Sequence, residues 1–168
     1  MCGSGTICIE ASLFANKIPN WFRQDFSFWN FHFLDKKAFL YLKKEFDEKV
    51  KRKNLNIQGC DLFEKHIQGA KENAKKAGVE IKFFKGDARE IPLNYDRIIT
   101  NPPYGIRIGS IRKIEKLYEN FLSNLYKWNW KKAVILTAHP HFIPGEKVEK
   151  KIDIAYGKLP ASILIMRR

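Results

Sequence analysis

Apolar residues recur at helical spacing in two stretches of the first third of the chain. The first, Thr6 to Ala15 (TICIEASLFA), predicts a buried helix that follows a loop over Met1 to Gly5. The second, Asp35 to Lys53, predicts a strongly amphipathic helix with charge on its other faces. Its apolar face holds Phe39, Leu42, Phe46 and Val50. The aromatic stretch between them, Ile18 to Phe33, has no clear period and predicts a covering loop.

Beyond the second helix the apolar pattern alternates between short strands and longer helices, as expected for a parallel sheet. The predicted strands are Leu55 to Gly59, Glu80 to Phe84, Arg97 to Thr100 and Ala133 to Thr137. The predicted helices are Leu62 to Ala77, ended by Gly78, and Ile111 to about Trp128. Lys151 to Ala155 and Ser162 to Met166 predict a closing antiparallel hairpin. The expected fold class is α/β, an open Rossmann-like sheet with an antiparallel edge.

Composition narrows the partner class. The chain has 168 residues, room for one domain, and a formal charge of +13 from 31 Lys and Arg against 18 Asp and Glu. This charge favours nucleic acid as the partner. Because no apolar stretch reaches about 18 residues and no secretory signal precedes the first helix, we expect no membrane association and a cytoplasmic protein. Cys2, Cys8 and Cys60 lack CxxC spacing and predict free thiols.

Three short motifs at element boundaries are candidates for nucleotide binding. Gly3-Ser4-Gly5-Thr6 precedes a helix, where backbone N–H groups can meet a polar ligand, although an ordinary Ser/Thr-capped helix start explains the motif better when it is taken alone. Asp61, in Gly59-Cys60-Asp61, suits a ribose hydroxyl or a helix cap. Asp87, in Gly86-Asp87-Ala88, suits an adenine amine or an Asx turn. The long separation of Asp61 from Gly5 disfavours a nicotinamide dehydrogenase, whose fingerprint spans roughly 20 residues.

The most specific motif is Asn101-Pro102-Pro103-Tyr104-Gly105, directly after the strand Arg97 to Thr100. Consecutive prolines stiffen the backbone and lack N–H donors, so the Asn101 amide oxygen and the Pro102 carbonyl become fixed acceptors. Two acceptors suit a planar NH2 group, and Tyr104 could stack on its ring. A rigid turn is the structural alternative. His139 and His141 form an HxH pair without an evident third ligand, so we interpret them as loop residues and predict no metal site.

In this order the motifs MCGSGTICIEA, GCDLFEKHIQGAKENAKKAGV, FFKGDAREIP and ITNPPYGIRIG resemble class I S-adenosylmethionine-dependent methyltransferases. More narrowly, they resemble the catalytic domain of THUMP-associated RNA guanine-N2 methyltransferases, especially those of large-subunit ribosomal RNA. That group also carries a Trp-containing insert, here about residues 17–53, within a single domain over 1–168. Its terminal hairpin is similar to YGKLPASILI.

The resemblance implies a role for each motif. Gly3, Ser4 and Gly5 would approach the methionine part of S-adenosylmethionine, Asp61 the ribose, and Asp87 with Ala88 the adenine. Asn101, Pro102, Pro103 and Tyr104 would form the catalytic loop, Asn101 also lying against the cofactor, and would grip a flipped base. The basic residues Arg107, Arg112, Lys113 and Lys116 would track phosphates of structured RNA, ribosomal RNA ahead of transfer RNA. Family members also place a strand and a THUMP module before MCGSGT. We therefore expect a sheet without that central strand and, as partner, an upstream THUMP-containing segment or chain.

The residues themselves leave other functions open. An adenine-N6 methyltransferase of DNA or RNA would use the same two acceptors, since only the substrate amine differs. Glutamine methylation of a protein is a weaker option, because a protein loop offers no phosphate track for the positive charge. A non-catalytic RNA-binding remnant is a hypothesis of another class. It predicts RNA binding without saturable binding of S-adenosylmethionine.

Overall fold

The computed structural model describes residues 1–19, 27–51, 53–105, 111–156 and 159–168. The helices are α1 (Thr6–Asn16), α2 (Lys36–Glu48), α3 (Glu64–Lys76) and α4 (Ile111–Leu125). The strands are β1 (Gln58–Asp61), β2 (Lys82–Lys85), β3 (Arg97–Thr100), β4 (Lys132–Thr137), β5 (Lys150–Tyr156) and β6 (Leu159–Arg167). Short 3-10 helices cover Ser27–Asn30, Pro140–Phe142 and Gly145–Lys147. None of the described helices is long and apolar enough to cross a bilayer.

The described strands form two sheets, which confirms an α/β fold with an antiparallel edge. One sheet pairs β1 with β2, and the other has the order β3-β4-β6-β5. Within the larger sheet β3 and β4 run parallel, whereas β4 with β6 and β5 with β6 run antiparallel. The predicted hairpin is therefore confirmed. Among the described strands β3 has a partner on one side only.

The residues divide into two compact units. The first comprises Met1–Cys2, Cys60–Glu64 and Lys85–Arg168. Its core lies between α4 and the larger sheet, because α4 places Ile114, Tyr118, Phe121 and Leu125 on one buried face. Alternate residues of β4 and β6 face the same core, including Ala133, Ile135, Leu164 and Met166.

The second unit comprises Gly3–Gly59 and Lys65–Phe84. Its buried apolar residues include Ile9 and Leu13 of α1, Ile67, Ala70 and Ala74 of α3, and Phe83 of β2. α1 is the predicted first helix, extended to Asn16. The predicted covering loop contains the Ser27–Asn30 turn of 3-10 helix, and residues 20–26 lie outside the described part.

The amphipathic helix α2 ends at Glu48, well before the predicted Lys53. Asp35 caps its start, as its carboxylate accepts a hydrogen bond from the Lys37 amide at 2.8 Å. Past its end, the Lys51 amide donates to the Asn16 carbonyl at 2.9 Å and the Lys53 amide to Asn16 Oδ1 at 2.7 Å. These amides are engaged by the end of α1, so the helix cannot continue through them.

Further boundaries differ from the prediction: α4 ends at Leu125 rather than near Trp128, and β4, β5 and β6 are longer than predicted. The strand predicted at Leu55 to Gly59 lies at Gln58–Asp61, because the Ile57 amide bonds to the Leu55 carbonyl in a local turn. β1 continues past Gly59 to Asp61, and within it the Cys60 carbonyl accepts a hydrogen bond from the Cys2 amide at 2.8 Å. Helix α3 begins at Glu64 rather than at Leu62, and β2 covers Lys82–Lys85.

Candidate functional site

The Asn-Pro-Pro-Tyr segment lies directly beyond β3 in the first unit, as predicted. The side chain of Pro102 is fully buried, whereas Pro103 and Tyr104 are half-buried. The side-chain oxygen of Asn101 is buried and accepts no hydrogen bond from the described residues. An unpaired buried acceptor costs about 1–3 kcal/mol, so this oxygen is suited to an N–H donor that arrives with a ligand.

The segment ends in a close approach that requires glycine. Gly105 has φ +80, and a Cβ built there would lie 2.7 Å from Ile114 Cγ1 on α4. On the other side, His139 Nε2 lies 2.8 Å from the Tyr104 carbonyl oxygen. The interpretation of His139 as a plain loop residue therefore missed its bond to the Asn-Pro-Pro-Tyr segment. Nothing in its spacing marks it, because Tyr104 is far away in sequence.

Asp61 is the last residue of β1 and is buried. Its Oδ1 accepts a hydrogen bond from the Phe63 amide at 3.2 Å, and its carbonyl accepts from the Gly86 amide at 2.9 Å. This backbone bond holds Asp61 beside the Gly86-Asp87-Ala88 loop, so the structure brings two of the predicted motifs together. Because α3 starts at Glu64, Asp61 is not its N-cap residue.

Cys60 also links β1 to the Gly86-Asp87-Ala88 loop. Its thiol donates to the Gly86 carbonyl at 3.1 Å. Burial raises the pKa of the Cys60 thiol, and burial does the same to the Cys8 thiol. Both groups therefore stay protonated near neutral pH and are poor nucleophiles. All three cysteines are free thiols, as predicted.

Asp87 forms the Asx turn that was the structural alternative for it. Its Oδ1 accepts from the Arg89 amide at 2.9 Å, and its carboxylate is paired with the Arg89 guanidinium. Hydrogen bonding to that guanidinium lowers the pKa of Asp87 below its ordinary value. The carboxylate is thus held ionised as an acceptor at the end of the loop.

Asn124 of α4 also binds the loop that contains Asp87 and Ala88, and we did not predict this role from the sequence. Its buried side-chain Nδ2 donates to the Ala88 carbonyl at 3.0 Å and to the Ile91 carbonyl at 2.9 Å. One signal for it was available in the sequence. A polar residue at position 124 lies on the same helical face as Phe121 and Leu125, where an apolar residue is expected.

The glycine motif belongs to the second unit. Gly3 and Gly5 have φ +55 and +80, in the left-handed region that favours glycine. A Cβ on Gly5 would lie 2.9 Å from Phe83 Cζ and 3.0 Å from the Ala70 Cβ. Asn73 of α3 donates to the Ser4 carbonyl at 3.0 Å, and Gly5 gives α1 no side-chain cap. The first turn of α1 thus lacks the side-chain acceptor that usually serves its N–H groups.

The predicted RNA-contacting residues are only partly described. Arg107 lies outside the described residues, whereas Arg112, Lys113 and Lys116 are exposed on the first turns of α4. Cations near a helix N-terminus oppose the helix dipole, typically by about 0.3–1 kcal/mol each. The first turn of α4 holds no acidic residue. Helix stability therefore does not explain these cations, and their contact with RNA stays a prediction.

A protein family and several known proteins are similar to this chain. The RMKL-like methyltransferase domain family UPF0020 matches residues 1–146. The tRNA (guanine(6)-N2)-methyltransferase of Methanocaldococcus jannaschii is 46% identical over 131 residues, which cover 74% of this chain and 34% of that protein. The ribosomal RNA large subunit methyltransferase K/L of Photobacterium profundum is 37% identical, over 70% of this chain and 18% of that protein.

A solved structure agrees with these sequence relatives. SMU.472, a methyltransferase candidate in complex with SAH, superposes over 99% of this chain and 46% of its own with a TM-score of 0.88 and 27% identity. The chain thus spans about a third of the first sequence relative, under a fifth of the second and under half of this neighbour. A family match over most of its length, with a near-complete superposition, confirms the predicted Rossmann-like fold. The chain belongs to the UPF0020 family of RMKL-like methyltransferase domains.

Proposed function

We propose that this chain transfers a methyl group from S-adenosylmethionine to the exocyclic N2 amine of guanine in structured RNA. The observation that carries the proposal is the buried side-chain oxygen of Asn101 within Asn-Pro-Pro-Tyr, which has no hydrogen-bond partner in the described part of the chain. An amide oxygen accepts the N–H of a planar amine, and the neighbouring Pro102 carbonyl is the second acceptor. Relatives named as guanine-N2 and ribosomal RNA methyltransferases support the same chemistry.

For this reaction the protein mainly has to position the amine against the methyl group. S-adenosylmethionine supplies a methyl group on a sulfonium: an N–C bond forms as the C–S bond breaks, sulfur keeps the electron pair as a thioether, and the amine loses a proton to solvent. Asn101 and Pro102 would hold both amine hydrogens and turn the nitrogen toward the methyl group. Tyr104 would stack on the base once it has left its helix. Pro103 keeps the backbone stiff between them.

Several predicted residues are individually suited to one part of the cofactor. In the second unit, Gly3, Ser4 and Gly5 precede a helix start without a side-chain cap, which suits the methionine carboxylate. In the first unit, Asp61 is a buried carboxylate suited to ribose hydroxyls. Asp87 and Ala88 stand on the loop held by Gly86 and Asn124, and would bind the adenine. SMU.472 is in complex with SAH, the product of methyl transfer, which supports this cofactor.

RNA would be held by charge. The +13 excess and the exposed Arg112, Lys113 and Lys116 favour phosphate contacts, and Arg107 remains a predicted contact. The sequence analysis placed ribosomal RNA ahead of transfer RNA. The relatives include enzymes for both, with the transfer RNA enzyme at 46% identity and the ribosomal RNA enzyme at 37%. Both RNAs therefore belong in the test. A THUMP-containing upstream segment or chain stays a prediction.

Two substitutions test the division of roles. Calorimetric titration measures S-adenosylmethionine binding, and incorporation of a labelled methyl group into RNA measures turnover. We expect Asn101→Ala to abolish turnover and to bind the cofactor nearly as the wild type does. Asp61→Ala should weaken cofactor binding instead. Asp96→Ala is the matched control, as Asp96 is an exposed carboxylate paired with Lys131.

Two results would overturn the proposal. Unchanged turnover in both site variants would remove the assigned residues from the reaction. RNA binding by the wild type without saturable binding of S-adenosylmethionine would instead identify a non-catalytic remnant.

A further inference from the structure

His139 forms a hydrogen bond to the backbone of the catalytic motif. Its Nε2 lies 2.8 Å from the Tyr104 carbonyl oxygen, in the first unit. A carbonyl oxygen only accepts, so Nε2 must carry the hydrogen and donate it. Tyr104 is the residue whose ring would stack on the target base. The bond therefore restrains the backbone from which that ring projects.

His139 is itself held in place from several directions. Its own amide donates to Thr137 Oγ1 at 2.8 Å, and its ring stacks on Phe142 with centroids 5.0 Å apart. Thr137 is fully buried at the end of β4, and Tyr118 of α4 lies 2.7 Å from the same Oγ1. Burial raises the pKa of Tyr118 to about 12, so its hydroxyl stays protonated and hydrogen-bonded. A rigid strand end and helix thus support the imidazole.

The loop is consequently fixed at both ends. At its start, Thr100 pairs in register with Ile135 through the parallel β3–β4 ladder. Two residues beyond Ile135 comes Thr137, to which the His139 amide is bonded. The same strand that aligns β3 therefore also aligns the imidazole. A displacement of this loop by about 1 Å would cost up to roughly a hundredfold in rate, since methyl transfer depends on alignment.

We propose that His139 is a positioning residue for methyl transfer: it fixes Tyr104, and with it the acceptor loop, in the geometry that the amine requires. The inference rests on the proposed function and adds a residue that acts through the Tyr104 carbonyl and not on the substrate. His139 donates through Nε2, so this nitrogen is not a base for the amine proton. A side chain with a donor at the same reach should replace it.

Three variants separate positioning from general stability. His139→Ala removes the donor, His139→Gln restores an N–H donor at similar reach, and His141→Ala is the control. His141 is an exposed neighbour whose ring also contacts Phe142, with centroids 4.4 Å apart, so this control removes a similar aromatic contact. Hydrogen–deuterium exchange of the peptide spanning Tyr104 and Gly105 reports the loop directly. Methylation kinetics report kcat and the KM values for RNA and S-adenosylmethionine.

We expect His139→Ala to speed exchange in that peptide alone and to lower kcat about tenfold or more, with the KM for S-adenosylmethionine unchanged. His139→Gln should recover a large part of both losses, and His141→Ala should match the wild type. Exchange that is unchanged in His139→Ala, or faster exchange with an unchanged kcat, would overturn the inference. If the peptide spanning Tyr104 and Gly105 shows the expected exchange but the wild-type protein methylates no RNA, the proposed function would be refuted and the hydrogen bond of His139 would stand.

Discussion

Replacing Asn124 with Ala tests whether α4 holds the loop proposed to bind adenine. The change removes the two hydrogen bonds that Asn124 Nδ2 donates to the Ala88 and Ile91 carbonyls, at 3.0 and 2.9 Å. It also removes the oxygen that accepts from Trp128 Nε1 at 3.3 Å. Each buried group left unpaired costs about 1–3 kcal/mol, and the Ile91 and Trp128 bonds are only partly buried. The expected loss in free energy of unfolding is therefore about 2–4 kcal/mol.

Urea denaturation measures this loss. With a slope of about 1–3 kcal/mol per molar, the midpoint should fall by about 1 M or more while the slope stays constant. Asn120→Ala is the matched control, since Asn120 is exposed on the preceding turn of the same helix. It should stay within about 0.5 kcal/mol of the wild type. A second readout is calorimetry, in which Asn124→Ala should weaken S-adenosylmethionine binding by loosening Asp87 and Ala88.

The reasoning fails if Asn124→Ala unfolds at the same urea concentration as Asn120→Ala. Such a result would mean that water replaces the donor at both carbonyls with no net cost. A large loss of stability with unchanged cofactor affinity would keep the structural account of Asn124. It would refute the assignment of Asp87 and Ala88 to adenine.

Three other substitutions test separate parts of the account. Gly5→Ala should lower the free energy of unfolding by about 2–4 kcal/mol in thermal or urea denaturation, because the φ of +80 at Gly5 and its close approach to Phe83 exclude a Cβ. The control Gly69→Ala, where a Cβ on α3 meets open space, should be neutral or stabilising. Arg89→Ala should raise the pKa of Asp87 in an NMR titration, because the guanidinium lowers that pKa. The pair stabilises the fold above the ordinary Asp pKa, and this stabilisation is lost as the pH falls. The variant and the wild type should therefore converge in stability in acid, and divergence there would refute the pairing. The double variant Arg112→Ala and Lys116→Ala should weaken RNA binding and reduce the steepness of log affinity against log salt concentration by about 1.5. The control is Lys131→Ala, which removes an exposed cation paired with Asp96 and should leave this slope nearly unchanged.

Local chemistry explains which elements were predictable from the sequence. β3 was predicted with its observed bounds, because Ile98, Ile99 and Thr100 are β-branched and consecutive prolines follow one residue later. α1 and the β5–β6 hairpin follow equally local signals. The end of α2 could not be predicted from local signals, because the amides of Lys51 and Lys53 donate hydrogen bonds to Asn16, a partner distant in sequence. The start of β1 likewise depended on a turn at Leu55 to Ile57 that the apolar pattern hides.

The same distinction holds for the candidate site. Gly3, Gly5 and Asn101 could be predicted because backbone freedom, close approach and acceptor chemistry belong to residue types and to their place after a strand or before a helix. His139, Arg89 and Asn124 could not, since their roles depend on which carbonyl or carboxylate each one meets. Sequence reasoning therefore identified the groups proposed to touch ligands. It did not identify the groups that support them.

The measurement that tests the central claim most directly is the identity of the methylated nucleoside. The wild-type chain and Asn101→Ala would each be incubated with S-adenosylmethionine and unmodified transfer or ribosomal RNA, and the RNA then digested to nucleosides for mass spectrometry. The account predicts N2-methylguanosine with the wild type and none with Asn101→Ala. Formation of N6-methyladenosine, or of N2-methylguanosine at equal rates by both proteins, would contradict it.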